Sequence, residues 1–303
     1  MGAGGATGGG RSGGISVATD YTKEAVKNLL MGSSAFRRYR LSRPRAGAAF
    51  DGRDELLKRY AFQSLDLLTQ HVGDIRGKSV LEIGAGDVLS SGFALLAAGA
   101  TRYVDIDRFI SDHDSEEAKQ WYRGIQEAWP RHYPEHPWPD DLQADNFPEG
   151  YPDRLKVVPE TIEDVRLSET FDIVCSFQVG EHVSGLQEFA RATRQGLKPD
   201  GVALHKVDFG PHDVWRLYSD PIVFLRFSDS AWRRTGSNRG APNRFRHHEF
   251  VQAFEAEGLQ VEVVHSQSFP PEKIDFTKIH PRFQAMPRES LALSSAIYRL
   301  TIR

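Results

Sequence analysis

The chain has 303 residues, 40% of them hydrophobic and 26% charged, the composition of a folded globular protein. A net charge of −3 and a pI near 6.4 exclude a global basic field for nucleic acid. A single cysteine, Cys175, excludes an internal disulfide framework and fits a reducing cytoplasm, and no apolar run approaches the roughly 18–20 residues that span a bilayer.

Residues 1–19 are rich in Gly, Ser and Ala, lack the apolar core of a secretory signal and read as a disordered tail. Residues 20–76 read as an N-terminal helical segment. Leu57, Tyr60, Ala61, Leu65 and Leu68 recur at three- and four-residue spacing and mark one apolar face. A weaker stripe runs from Ala25 to Leu30, and an arginine-dense stretch, FRRYRLSRPR, occupies 36–45.

From residue 77 to 303 the pattern is that of one α/β domain. Ser79–Ile83 is a short strand ending in Gly84-Ala85-Gly86, an Ala/Leu-rich helix follows near 91–98, and Thr101–Ile106 is the next strand. Strand, glycine turn, helix and strand within so short a span make a right-handed βαβ unit of a parallel sheet. An insertion at about 111–153, carrying Trp121, Trp129 and Trp138, reads as a functional lid. Strands follow at Leu155–Val158, Phe171–Ser176 and Gly201–Val207, with a helix near 186–195 before the last. A second insertion, about 209–247, leads to a helix near 248–257 and two final strands, Leu259–His265 and Ser294–Ile302. The expected fold is α/β and Rossmann-like: a seven-stranded, mostly parallel sheet with an antiparallel C-terminal strand, N-terminal helices and lid insertions.

The decisive stretch is VLEIGAGD, residues 80–87. Glycines at the end of the first strand let a ligand approach the backbone beside a helix N-terminus. A dinucleotide fold wants a third glycine, and that position is Leu89, which argues against a nicotinamide dehydrogenase. Glu82, two residues before the first glycine, ill suits a diphosphate and suits a cationic amine or sulfonium. Asp105, at the end of the second strand, can accept both hydroxyls of a ribose; Asp107 also qualifies but reads equally as a cap at Arg108.

The segments VLEIGAGD, VDID, PETIED, FDIVCSFQVGEHV and LKPDGVALHKV occur in order over residues 77–210. Together they resemble the signature segments of class I S-adenosylmethionine-dependent methyltransferases. The resemblance implies that Glu82, Gly84, Ala85 and Gly86 line the methionine and ribose pocket, and that Asp105, with Ile106 after it, binds the ribose diol. It places Glu160, Thr161 and Ile162 beside the adenine, and Ser176, Phe177 and Gln178 near the sulfonium. Where the family often has Leu-Glu-His after the fourth strand, this chain has Val179-Gly180-Glu181-His182.

Methyl transfer from a sulfonium needs chiefly positioning, and a hydroxyl acceptor also needs its proton removed. The candidates at the strand exits are Glu181, His182, His205, Asp208 and His212. The run HKVDFGPHDVW, which holds the last three, resembles methyltransferases of glycan and natural-product pathways. Strand alternation turns His205 toward the core, which favours His182 and His212. These residue types also suit a metal, but nothing in the sequence fixes a ligand geometry, and no metal is expected. Arg226, Arg233, Arg234, Arg239, Arg244 and Arg246 crowd one segment and suit an anionic acceptor. The expected activity is methylation of a small molecule such as a sugar, glycoside or secondary metabolite. An RNA or protein methyltransferase would instead show a broad basic face, and a non-catalytic cofactor binder would lack polar strand ends.

Overall fold

A computed structural model of the protein describes residues 15–33, 54–108, 112–238 and 240–303; FRRYRLSRPR and Arg239 lie outside the described residues. The chain divides into two compact units, one drawn from 45–207, 249–265 and 296–303, the other from 1–44, 208–248 and 266–295.

The larger unit carries most of the sheet: β1 (Ser79–Ile83), β2 (Arg102–Ile106), β3 (Leu155–Val158), β4 (Phe171–Phe177), β5 (Leu197–Asp208), β6 (Leu259–Ser268) and β7 (Leu293–Ile302). Their spatial order is β3-β2-β1-β4-β5-β7-β6. The pairs β1–β2, β1–β4, β2–β3 and β4–β5 are parallel. Hydrogen bonds join the end of β6 to the start of β7 (Phe269 N–H to Ala292 O) and the end of β7 to the start of β6 (Arg303 N–H to Gly258 O), so β7 runs antiparallel. The Rossmann-like sheet is as the sequence pattern implies. The strand order reverses between β1 and β4, which makes their C-terminal ends the ligand crevice of such a sheet.

Register sorts the side chains. Val80, Tyr103, Ile173, Cys175 and Leu204 share one apolar cluster on one face of the sheet, and Glu82 and Asp105 lie on that same face by strand alternation. That cluster holds α2 (Asp54–Leu57), α3 (Gln63–His71), α4 (Ser90–Ala97) and α5 (Glu116–His132). On the other face His205 meets Phe189 of α6 (Leu186–Gly196).

Four expectations change here. The helix from 54 to 71 contains a π turn, Lys58–Phe62, closed by Gln63 N–H to Lys58 O. The extra residue keeps Leu57, Ala61, Leu65 and Leu68 buried but turns Phe62 inward and Tyr60 outward, 45% exposed. The 111–153 insertion, read as a lid, is built into the core: Trp121, Tyr122, Ile125, Trp129, Leu142 and Phe147 are buried in the main cluster. Its tryptophans supply core area that the short strands cannot.

The third change concerns the start of the chain, within the smaller unit. Helix α1 (Ile15–Met31) begins inside the segment read as a tail. It also buries the opposite face to the one expected: Asp20, Glu24 and Asn28 are buried, whereas Val26, Leu29 and Leu30 are exposed. The reason is a hydrogen-bonded seam with α7 (Asp229–Gly236). Asn28 Nδ2 donates to Arg234 O and Ser237 Oγ, its Oδ1 accepts from Asn238 N–H at 2.7 Å, and Tyr218 donates to Asp20 at 2.8 Å. The rest of the unit is an aromatic cluster of Trp215, Tyr218, Phe224, Trp232 and Phe283. The link between β6 and β7 contains two short helices, Pro281–Gln284 and Arg288–Ala292, where a plain loop was expected. No helix among the described residues is long and apolar enough to cross a membrane.

If α1 is held by its polar seam, Asn28→Ala should lower unfolding stability by about 2–4 kcal/mol, since it strands several buried partners. Leu29→Ala, at a position 76% exposed, should stay within about 0.5 kcal/mol. Denaturant melts of both variants check this, and the reverse ranking would show that the apolar face is the buried one.

Candidate functional site

The turn after β1 is shaped by its glycines. Gly84 and Gly86 have φ of 78° and 85°, in the left-handed region that glycine enters freely. A Cβ on Gly84 would lie 2.7 Å from Val179 Cγ2, so the loops leaving β1 and β4 meet here. Gly84 N–H donates to Ile106 O at 2.9 Å, tying the turn to the end of β2.

Two acids at the end of β2 and just after it hold the same turn. Asp105 Oδ1 accepts from Ala85 N–H at 3.0 Å, and Asp107 Oδ2 accepts from Gly86 N–H at 3.1 Å. The other oxygen of Asp105 is buried and has no hydrogen-bond partner among the described residues. Glu82 is the direct register neighbour of Asp105. Its Oε2 accepts from Ser91 Oγ and from Tyr103 OH, each at 2.5 Å. Burial pushes the Glu82 carboxyl up, against the lowering by Ser91 and Tyr103. Burial, and next the Glu82 carboxylate, raise the Asp105 carboxyl well above its usual range. Glu82 is therefore buried, with its Oε2 bonded to α4 and β2.

The remaining expected cofactor residues separate. Ile106 is buried, with its carbonyl in the turn. Glu160 is exposed after β3. Thr161 Oγ1 donates to Asp164 Oδ2 and accepts from Asp164 N–H, and Ile162 is buried. Ser176 and Phe177 point to opposite faces, because they are neighbours in β4. Phe177 packs toward the main cluster. Ser176 Oγ lies 2.8 Å from His205 Nδ1 in the core, so it does not face a sulfonium. Gln178 leaves the strand with φ of 62° and its N–H bonded to Lys206 O, a strained turn at the strand exit of the kind found at functional sites.

Among the basic candidates, His205 is withdrawn. It is fully buried, with Nε2 3.1 Å from Thr193 Oγ1 and its ring stacked on Phe254, and burial lowers its pKa to about 3. The same burial removes it from any ligand set with Asp208 and His212. His182 ends the single turn Gly180–His182, its N–H bonded to Val179 O at 2.7 Å. His212 Nε2 lies 3.6 Å from Asp208 Oδ2, where β5 ends. Burial acts to raise the Asp208 carboxyl, but bonds from His212 and Gly210 N–H outweigh it and the pKa is lowered.

The arginine-rich segment is mostly internal. Arg244 is bonded to Asp229 and Phe227 O, Arg246 donates to Phe209 O and Leu293 O at 2.9 Å, and Arg226 pairs with Asp220 at 2.6 Å. Sequence reasoning missed Ser91 and Tyr103 as partners of Glu82, and it missed His113. A register of β1 on β2 would have exposed Tyr103; nothing in the sequence marks His113.

Residues 53–264 match a family model described as a methyltransferase domain, about two thirds of the chain. The chain belongs to the class I S-adenosylmethionine-dependent methyltransferases. This methyltransferase is 23% identical over 140 residues to a ubiquinone biosynthesis O-methyltransferase of Rickettsia canadensis, covering 46% of this chain and 47% of that one. It thus spans about half the length of the curated relative it matches. A solved S-adenosylmethionine-dependent methyltransferase of Mesorhizobium loti is 14% identical, with a TM-score of 0.43, over 78% of this chain and 95% of its own. The YcgJ protein of Bacillus subtilis is also 14% identical, with a TM-score of 0.43, over 80% and 99%. TM-scores this low add nothing to the strand order already described.

In this methyltransferase His205 should stay neutral at every pH at which the protein is folded, down to about 3. Its folded pKa lies below the unfolded value near 6.5, so its contribution to stability is complete above that pH and is lost as pH falls below it. Histidine-selective NMR from pH 8 to pH 5 should show His205 unchanged; titration near 6.5 would contradict its place in the core.

Proposed function

We propose that this methyltransferase binds S-adenosylmethionine at the glycine turn and transfers its methyl group to a hydroxyl or amine of a small-molecule acceptor. The observation that carries the reading is the buried, unpartnered oxygen of Asp105, held beside the turn by the bond of its sister oxygen to Ala85 N–H. A buried acceptor without a donor costs about 1–3 kcal/mol, and a ribose hydroxyl supplies the donor. Gly86 leaves open space where a Cβ would sit, which suits close approach of a ligand to the backbone. The residues present thus fit a nucleoside cofactor.

When bound, the cofactor supplies an electrophilic methyl group on a sulfonium. The protein's part is to hold the nucleoside through Asp105 and the turn, and to take a proton from a hydroxyl acceptor. His212 is the favoured base over His182, because the Asp208 carboxylate beside it steadies the ring and stabilises the imidazolium that forms on taking a proton. O-methyl transfer is also the activity named for the Rickettsia relative. A small acceptor is favoured over RNA because Arg226, Arg244 and Arg246 are bonded within the fold and offer no basic face. The same pairing weakens the expectation of an anionic acceptor, leaving Arg233 and Arg234 as exposed cations of that segment among the described residues.

Calorimetry with S-adenosylhomocysteine and turnover with methyl-labelled cofactor over a metabolite panel test the two halves separately. Asp105→Ala should weaken binding about 10- to 150-fold. His212→Ala should leave binding intact and cut turnover by about 10²–10⁴-fold. Normal binding in Asp105→Ala with loss in Asp107→Ala would move the ribose contact to the other acid, and full turnover in His212→Ala would remove the proposed base.

A further inference from the structure

A second orphaned acceptor lies against the same turn. His113, from the segment between β2 and α5, is 7% exposed, and its ring is hydrogen-bonded to the backbone carbonyl of Gly86. A carbonyl only accepts, so the ring nitrogen facing it carries the proton. The other nitrogen, Nε2, is buried and has no partner among the described residues. Burial lowers the pKa of this histidine, opposing the carboxylates of Asp107, Asp87 and Asp112 around it. The imidazole is accordingly neutral, with Nδ1 donating and Nε2 a bare acceptor.

The residue is also fixed in place. Tyr122 OH of α5 donates to the His113 carbonyl and accepts from Leu89 N–H, the residue that precedes α4, both at 3.3 Å. His113 is thereby tied to the start of α4 through Tyr122 and to the turn before it through Gly86. Loop residues with no role rarely have both backbone and ring held while one buried nitrogen is left bare, because an unmet buried acceptor is destabilising.

We propose that Nε2 of His113 accepts a hydrogen bond from the bound cofactor. It would act as a second acceptor beside Asp105 and thereby help to define the pocket. The inference rests on the cofactor reading above. Two acceptors, one carboxylate and one imidazole, belong to residues bonded to the same turn, and the N–H groups of Ala85 and Gly86 in that turn are occupied by Asp105 and Asp107. Such a set calls for a ligand rich in donors, which the ribose hydroxyls and the amino group of the amino-acid end both provide.

The test separates the two ring nitrogens by amide substitution. Asn at 113 mimics Nδ1 and keeps the bond to Gly86 while deleting Nε2; Gln reaches the place of Nε2 and restores an acceptor there. Calorimetry with S-adenosylhomocysteine should show His113→Asn weakened about 3- to 10-fold, the worth of one neutral hydrogen bond. His113→Gln should recover most of that loss, with both ligand-free variants melting within a few degrees of the parent. Parental affinity in His113→Asn, or equal losses in the two variants, would overturn the proposal. Failure of the parent protein itself to bind would instead strike the cofactor reading.

Discussion

Two carboxylates sit on adjacent rungs of β1 and β2, on the same face of the sheet, and both are buried. Like charges at that spacing cannot both ionise cheaply in a medium that excludes water. Much of the local structure answers this constraint. Glu82 is given Ser91 from α4 and Tyr103 from β2, which lock the helix and the second strand to the first. Asp105 takes the Ala85 N–H on one oxygen, with the Gly84 N–H also acting on it, and these hold the turn at Gly84-Ala85-Gly86. One acid is thus bonded into the architecture, and its neighbour keeps one oxygen without a partner among the described residues.

Residues that are neighbours in sequence are divided in the same way elsewhere. His205 and His212 belong to one short run of sequence, yet one is a neutral core residue between Ser176 and Thr193 and the other pairs with a carboxylate where β5 ends. Arg244 and Arg246 look like an anion site in sequence and are internal cross-links in the fold, with Arg244 lying over the rings of Trp232 and Phe283. An arginine that donates to buried carbonyls stabilises loops that have few strands to pair with, and the smaller unit is built largely of such loops.

The strands and their mostly parallel sheet were legible because strand periodicity and glycine turns act locally, and the five segments that resemble the family's signatures fall on β1, β2, β4 and β5 and just after β3. What was not legible depended on partners distant in sequence. The buried seam of α1 is polar because Asn28 meets backbone groups some 205–210 residues away. Tyr60 faces outward because of one extra residue in a π turn, a shift that apolar spacing does not encode. Ser176 and Phe177 were read as a unit although alternation sends them to opposite faces. His113 carries no motif, and only the three-dimensional placement of Gly86 gives it meaning.

The central proposal is that the free oxygen of Asp105 accepts a ribose hydroxyl of the bound cofactor. A double-mutant cycle isolates that bond. Calorimetry measures it directly, with S-adenosylhomocysteine and its ribose-deoxy analogue each titrated into the parent protein and into Asp105→Ala. Removing the hydroxyl should weaken binding to the parent about 10-fold or more and leave binding to Asp105→Ala nearly unchanged. An equal loss in both proteins would contradict the contact.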